Sequence, residues 1–194
     1  NGQRAWKYLH NHYVKEIKPK LKQPHNLNTL TTLSYMLSSY RDNSWTNGVF
    51  SQAERQQLLN LAFARWLALP NMLKGQLALA LKRAGRHQEA SMVFESVMNG
   101  AKSDADNGVY WPQQNRSWLW YNDRIDTHAF MLRAMMEINP QDARRHGLVQ
   151  WLMLNKKLNH WKSTRATAES IYALVHYLKR EQQLGVDERM VVNL

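Results

Sequence analysis

The 194-residue sequence contains no cysteine. Disulfides, thiolate zinc sites, iron–sulfur ligation and cysteine nucleophiles are therefore excluded within these residues. The absence leaves the compartment open, because a cysteine-free domain suits oxidising and reducing surroundings alike. Long hydrophobic runs are missing too. No window approaches the roughly 18 uncharged apolar residues of a membrane span, and the first residues, NGQRAWKYLH, lack the apolar core of a signal peptide. The chain reads as a piece of a longer protein. Acidic residues are scarce, 15 against 26 basic ones, which gives a formal charge of +11. Such a balance fits either a polyanion binder or a surface facing water or acidic neighbours. The basic residues are scattered, with one loose cluster at Lys15, Lys18, Lys20 and Lys22 and another at Arg144, Arg145, Lys156 and Lys157. That scatter favours the second reading, without nucleic acid and without direct membrane insertion.

What remains is ordinary globular material, 44% hydrophobic and 21% charged, long enough for one domain with a continuous core. Strand alternation is almost absent, and three- and four-residue steps dominate. Trp6, Leu9, Tyr13 and Ile17 mark a helix from Arg4 to Lys18, ended by Pro19. Leu30, Leu33, Met36, Leu37 and Tyr40 mark a second. Ser51-Gln-Ala-Glu54 has the form of a capping box, and its helix is expected to run through Trp66 to Leu69. MLKGQLALALKRAG closes at Gly85 and RHQEASMVFESVMNG at Gly100, as helices ending in glycine do. Residues 101–124 read as one long irregular stretch. IDTHAFMLRAMMEI is helical, Pro140 is placed to open the next helix, and the last long helix runs from about Thr164 to Glu181.

The spacing predicts an all-α protein of eight helices in about four hairpins. Thr-x-x-aromatic-Met-Leu occurs at Thr32 and again at Thr127. The helices around Thr32, Lys74, Thr127 and Thr167 are small and apolar and alternate with more charged ones. This predicts an inner and an outer set, stacked as a solenoid or curved into a ring. ALALKRAGRHQEASMVF is similar to one tetratricopeptide repeat, but only in a single copy.

Four pieces in order, NGVYWP, WLWYNDRIDTHAFMLRAM, VQWLMLNKK and HWKSTRATAESIYALVHYL, resemble the thioester-domain region of bacterial alpha-2-macroglobulins. The likeness is dense from about Leu77 to Leu178 and thinner from Ala5 to Leu69. Asp126 stands where that family often has glutamate, and His128 and Phe130 also depart from its commoner residues. The resemblance implies an incomplete α/α toroid over residues 1–182, of terpenoid cyclase type, with its N-terminal hairpins missing. Residues 183–194 would be a tail, possible strand, leading to a following domain. It also implies a broad-spectrum protease inhibitor of the periplasm or cell envelope, in a lipid-anchored parent. The expected partners are neighbouring macroglobulin-type β-domains and the trapped proteases. The family's thioester joins a cysteine to a glutamine, so this piece cannot hold one. Neither cofactor nor metal is expected, and no catalytic residue is carried over.

Each chemical candidate has a plainer reading beside it. His10 and His12 point to different helix faces, and His25 sits beside Pro24 with no motif around it. His128 on an inner helix fits a hydrogen-bonded core residue. Asp123 and Asp126 suit the positive end of a helix, or a glycosidase pair across a cleft. Asp104, Asp106, Asn107 and Gly108 resemble part of a calcium loop but lack its later ligands, as a polar turn would. The tryptophans at 111, 118, 120, 151 and 161 either line a ring mouth or fill the gap beneath the long loop. Two rival functions stay open: a carbohydrate-active or terpenoid enzyme with two acids in a deep central cavity, and a helical-repeat scaffold for peptides or nucleic acid.

Overall fold

The computed structural model describes residues 2–40, 48–113, 119, 121 and 123–183. Among them are eight α-helices: α1 (Gly2–His12), α2 (Leu27–Ser39), α3 (Gln52–Phe63), α4 (Asn71–Arg83), α5 (His87–Met98), α6 (Arg124–Ile138), α7 (Arg144–Leu154) and α8 (Thr164–Arg180). The all-α class is as the spacing predicts. Trp118, Trp120 and residues 184–194, including the expected tail strand, lie outside the described residues.

Several boundaries move for physical reasons. The first helix is α-helical only to His12; Tyr13–Ile17 widens into a π-turn, and short 3-10 turns at Lys18–Lys20 and Pro24–Asn26 follow. Helix α3 starts where its capping box sits: Ser51 Oγ accepts from the Glu54 amide at 3.2 Å, and Glu54 accepts from the Ser51 amide at 3.0 Å. It stops at Phe63, and Trp66–Ala68 forms a separate 3-10 turn. Pro140 does not open α7. That helix begins at Arg144, whose amide is held by Asp142 Oδ1 at 2.9 Å. The long irregular stretch contains a small hairpin, β1 (Lys102–Asp104) paired antiparallel with β2 (Gly108–Tyr110), Ser103 opposite Val109. Three-residue strands are too short for alternation to reveal them.

The even helices form a row in which α2 packs on α4, α4 on α6 and α6 on α8. The odd helices cover it: α3 lies on α2, α5 on α4, and α7 on α6. Position in the row decides how much of each helix is buried. In α4, nine residues from Met72 to Leu81 are buried, and in α6 eleven from Ile125 to Ile138, so these two are wrapped on several sides. In α8 burial is confined to Ala166, Ser170, Ala173 and Tyr177, one face at steps of four, three and four residues. The small Ala166, Ser170 and Ala173 let α8 lie close to α6.

Two apolar clusters result. One unites Leu73, Leu77, Phe94, Met131, Leu132 and Trp151 across α4–α7. The other gathers Trp6, Tyr13, Leu30, Leu37, Phe50 and Leu58 where the first turns meet α2 and α3. A fully buried Leu or Phe of this kind stabilises by about 1.5–3 kcal/mol. Close approach is bought with glycine at two points. A Cβ at Gly75 of α4 would stand 2.7 Å from Met131 Sδ and 3.2 Å from Phe130, and one at Gly147 of α7 would stand 2.9 Å from the Val109 amide nitrogen.

Candidate functional site

His128 faces α7 and lies wholly inside. Its ring stacks on Trp151 at 3.6 Å and meets Trp111 edge-on at 4.9 Å. Nε2 accepts from the Trp111 amide at 3.1 Å, so Nδ1 carries the proton and donates to the Arg124 carbonyl at 2.6 Å. Burial pushes its pKa down to about 3, because an imidazolium here would lose its water. The ring is thus a neutral pin that fastens the β-hairpin to α6. Trp111 Nε1 donates to the Val97 carbonyl at 2.8 Å, and Arg124 lies over the Trp151 ring while donating to the Trp111 carbonyl.

The turn before α8 is built in the same manner. Trp161 Nε1 donates to the Leu152 carbonyl at 2.8 Å, and the Trp161 amide donates to Thr167 Oγ1 at 3.0 Å. Ser163 caps the helix by accepting from the Ala166 amide. Trp111, Trp151 and Trp161 are all buried, so they fill the space beneath the loops and line no opening.

On the other side of the row lies a band of polar and aromatic side chains that periodicity did not announce. Residue 126 is two positions from residue 128, about 200° round the helix, so Asp126 faces away from α7. With it on α6 run Phe130, Arg133 and Glu137 at steps of four, three and four. Thr32 of α2 donates to Gln76 of α4 at 3.2 Å. Arg83 of α4 grips both Glu137 oxygens at 2.8 Å and also reaches Ser39 Oγ at 2.8 Å. Arg133 donates to Glu169 of α8 at 3.2 Å and to the Tyr35 hydroxyl of α2 at 2.8 Å, with Phe130 and Tyr172 rings against its guanidinium. Tyr35 also meets Phe130 edge-on at 5.4 Å. Side chains of α2 and α6 therefore touch over α4, the helix that separates them in the row.

The two candidate acids stand at the end of this band with their pKa values shifted in opposite directions. Asp123 caps α6, accepting from the Ile125 and Asp126 amides, and pairs with Lys162 at 2.6 Å. Burial works to raise its pKa, but Lys162 and the two amides outweigh burial and hold it below the usual value. Asp126 is 1% exposed and pairs through Oδ2 with Arg165, while Oδ1 has no hydrogen-bond partner. Burial raises its pKa, and Arg165 offsets only part of that.

The other candidates separate. His10 packs edge-on against Phe50 and reaches Glu54 at 3.4 Å, so it joins the second apolar cluster and not a pair with His12. Asp104 Oδ1 accepts from the Asn107 amide at 2.6 Å, which makes the calcium-like run a hairpin turn. Among the described residues no three His, Asp or Glu side chains are grouped to hold a metal, and no helix is long and apolar enough to cross a membrane. A cleft of about 530 Å³ opens between Leu37, Phe50, Arg55 and Arg83, at the end of α2 and not among the acids. Comparison with protein-family models, with curated proteins and with solved structures returned no match.

Proposed function

We propose that this chain is a non-catalytic helical body of a bacterial alpha-2-macroglobulin-type protease inhibitor, a partial α/α toroid that transmits rearrangement to neighbouring β-domains of its parent. The observation that carries this reading is the meeting of Tyr35 with Phe130 and Arg133 over α4. Side chains two helices apart meet readily when a row bends toward them, and a bent inner row under an outer layer is the geometry of a toroid. A polar band tied by Arg83, Arg133 and Arg165 suits a rigid body that moves as one piece. The motif pieces that resemble the family act as pins and caps, which agrees with an architectural use. The parent would work in the periplasm or cell envelope, trapping proteases once they cut a bait segment elsewhere. The test is sedimentation of the full-length parent before and after limited proteolysis. Compaction after bait cleavage, with the protease retained, is the expected result; an unchanged profile contradicts the reading.

One observation favours a second reading, a carbohydrate-active enzyme on the same architecture. Asp123 and Asp126 have their pKa values pushed apart, as an acid and a base working together do. Both, however, are already engaged by cations. Glycoside hydrolysis by this chain that disappears in Asp126→Asn would establish the enzyme and displace the inhibitor.

A further inference from the structure

The lysine cluster near the start of the chain has a shape that its sequence does not convey. Lys18, Lys20 and Lys22, with Pro19, Pro24 and Gln57 of α3, line a cleft of about 470 Å³. The backbone beneath it is fixed by side-chain donors. Arg65 donates to the carbonyls of Leu21, Lys22 and Gln23 at 3.2–3.3 Å, and Asn26 donates to that of Lys20 at 2.8 Å. Four successive carbonyl oxygens are thereby hydrogen-bonded within the chain. Pro19 and Pro24 restrict the backbone further. Carboxylates offset two of the lysines at long range: Lys18 lies 3.5 Å from the largely covered Glu54, and Lys20 lies 3.8 Å from the exposed Glu16. Among the described residues Lys22 has no ion-pair partner. A braced loop thus brings three lysines to one cleft.

We propose that this cleft binds a phosphate-bearing group, with Lys18, Lys20 and Lys22 as its cationic contacts. The donor set selects the chemistry. Lysine binds phosphate as a point charge, without the bidentate geometry of an arginine fork, and three lysines together match a multiply charged anion better than a single carboxylate. The one arginine here, Arg65, turns its fork to the backbone. Among the described residues no aromatic side chain lines the cleft, so it offers nothing on which a nucleobase could stack. The ligand is therefore a compact phosphate group, either soluble or borne by a lipid head. The proposal does not depend on the toroid reading.

Calorimetric titration of the chain with sodium tripolyphosphate, and flotation with phosphatidic acid vesicles against phosphatidylcholine vesicles, test it. Saturable binding at one site is expected, weakening about tenfold in Lys20→Gln/Lys22→Gln. Lys156→Gln/Lys157→Gln removes the same charge elsewhere and is expected to bind within about twofold of the parent protein. Binding of tripolyphosphate marks a soluble ligand. Binding of phosphatidic acid alone marks a lipid head, provided the same variants discriminate. Failure of both probes, or equal weakening in the two double variants, overturns the proposal. Surface lysines bear little on folding, and circular dichroism of each variant verifies that.

Discussion

The neutral state of His128 is enforced by position: one ring nitrogen must accept from Trp111 and the other must donate to Arg124. A folded pKa of about 3 lies below the ordinary 6.5. The unfolded chain therefore binds the proton first, and stability that is full above pH 6.5 falls as pH drops toward 3. The slope is at most about 1.4 kcal/mol per pH unit. His128→Phe is expected to flatten that slope in urea melts between pH 7 and 4. It also orphans two backbone groups, at a cost of about 2 kcal/mol at pH 7. The two aspartates pull in opposite directions. Asp123, held low, contributes stability present above its ordinary pKa and lost as pH falls, so Asp123→Asn removes part of the acid sensitivity. Asp126, held high, contributes stability that is present below its ordinary pKa and lost as pH rises through its folded value. Asp126→Asn is expected to remove that loss, and matching pH profiles for the two variants would refute the assignment.

Between elements, the hairpin seats closely on α7. A Cβ at Gly108 would stand 2.3 Å from the Gly147 carbonyl, and Gly108 has φ +76°, which disfavours other residues. Gly147→Ala drives a methyl into the Val109 backbone, so a loss of about 1–3 kcal/mol is expected in chemical denaturation, despite alanine's higher helix propensity. A stabilised variant would mean that the hairpin is not seated there. The helices themselves were readable because a 3.6-residue period writes burial into the chain, and Leu30, Leu33 and Leu37 keep that period. The hydrogen-bonded core role of His128 was also readable from its place on an inner helix; its neutral state was not. The hairpin was not, since three paired residues leave no pattern. Nor was the polar band: Arg133 looks like any solvated arginine until the fold brings Tyr35, 98 residues away, to its guanidinium.

For the whole molecule, layering and the proposed bend have different physical origins. Layering follows from burial: α4 and α6 are covered on several sides, while α3, α5 and α7 each bury one face over the row. In the proposed toroid the row bends toward the polar band, where Gly75 lets α6 close on α4 and side chains then reach past α4. The charges in the band are half-buried and mutually paired, so removing one partner strands another. Arg133→Gln is expected to cost about 1–3 kcal/mol, less than a fully buried pair because solvent reaches the site. The central claim, that α2 and α6 meet over α4, is tested most directly by a double-mutant cycle of Tyr35→Phe and Arg133→Gln, read from urea denaturation midpoints. In a straight row these residues would sit on helices roughly 16–20 Å apart and their effects would add. A coupling of about 1 kcal/mol is predicted; strict additivity would contradict the bent row and the reading built on it.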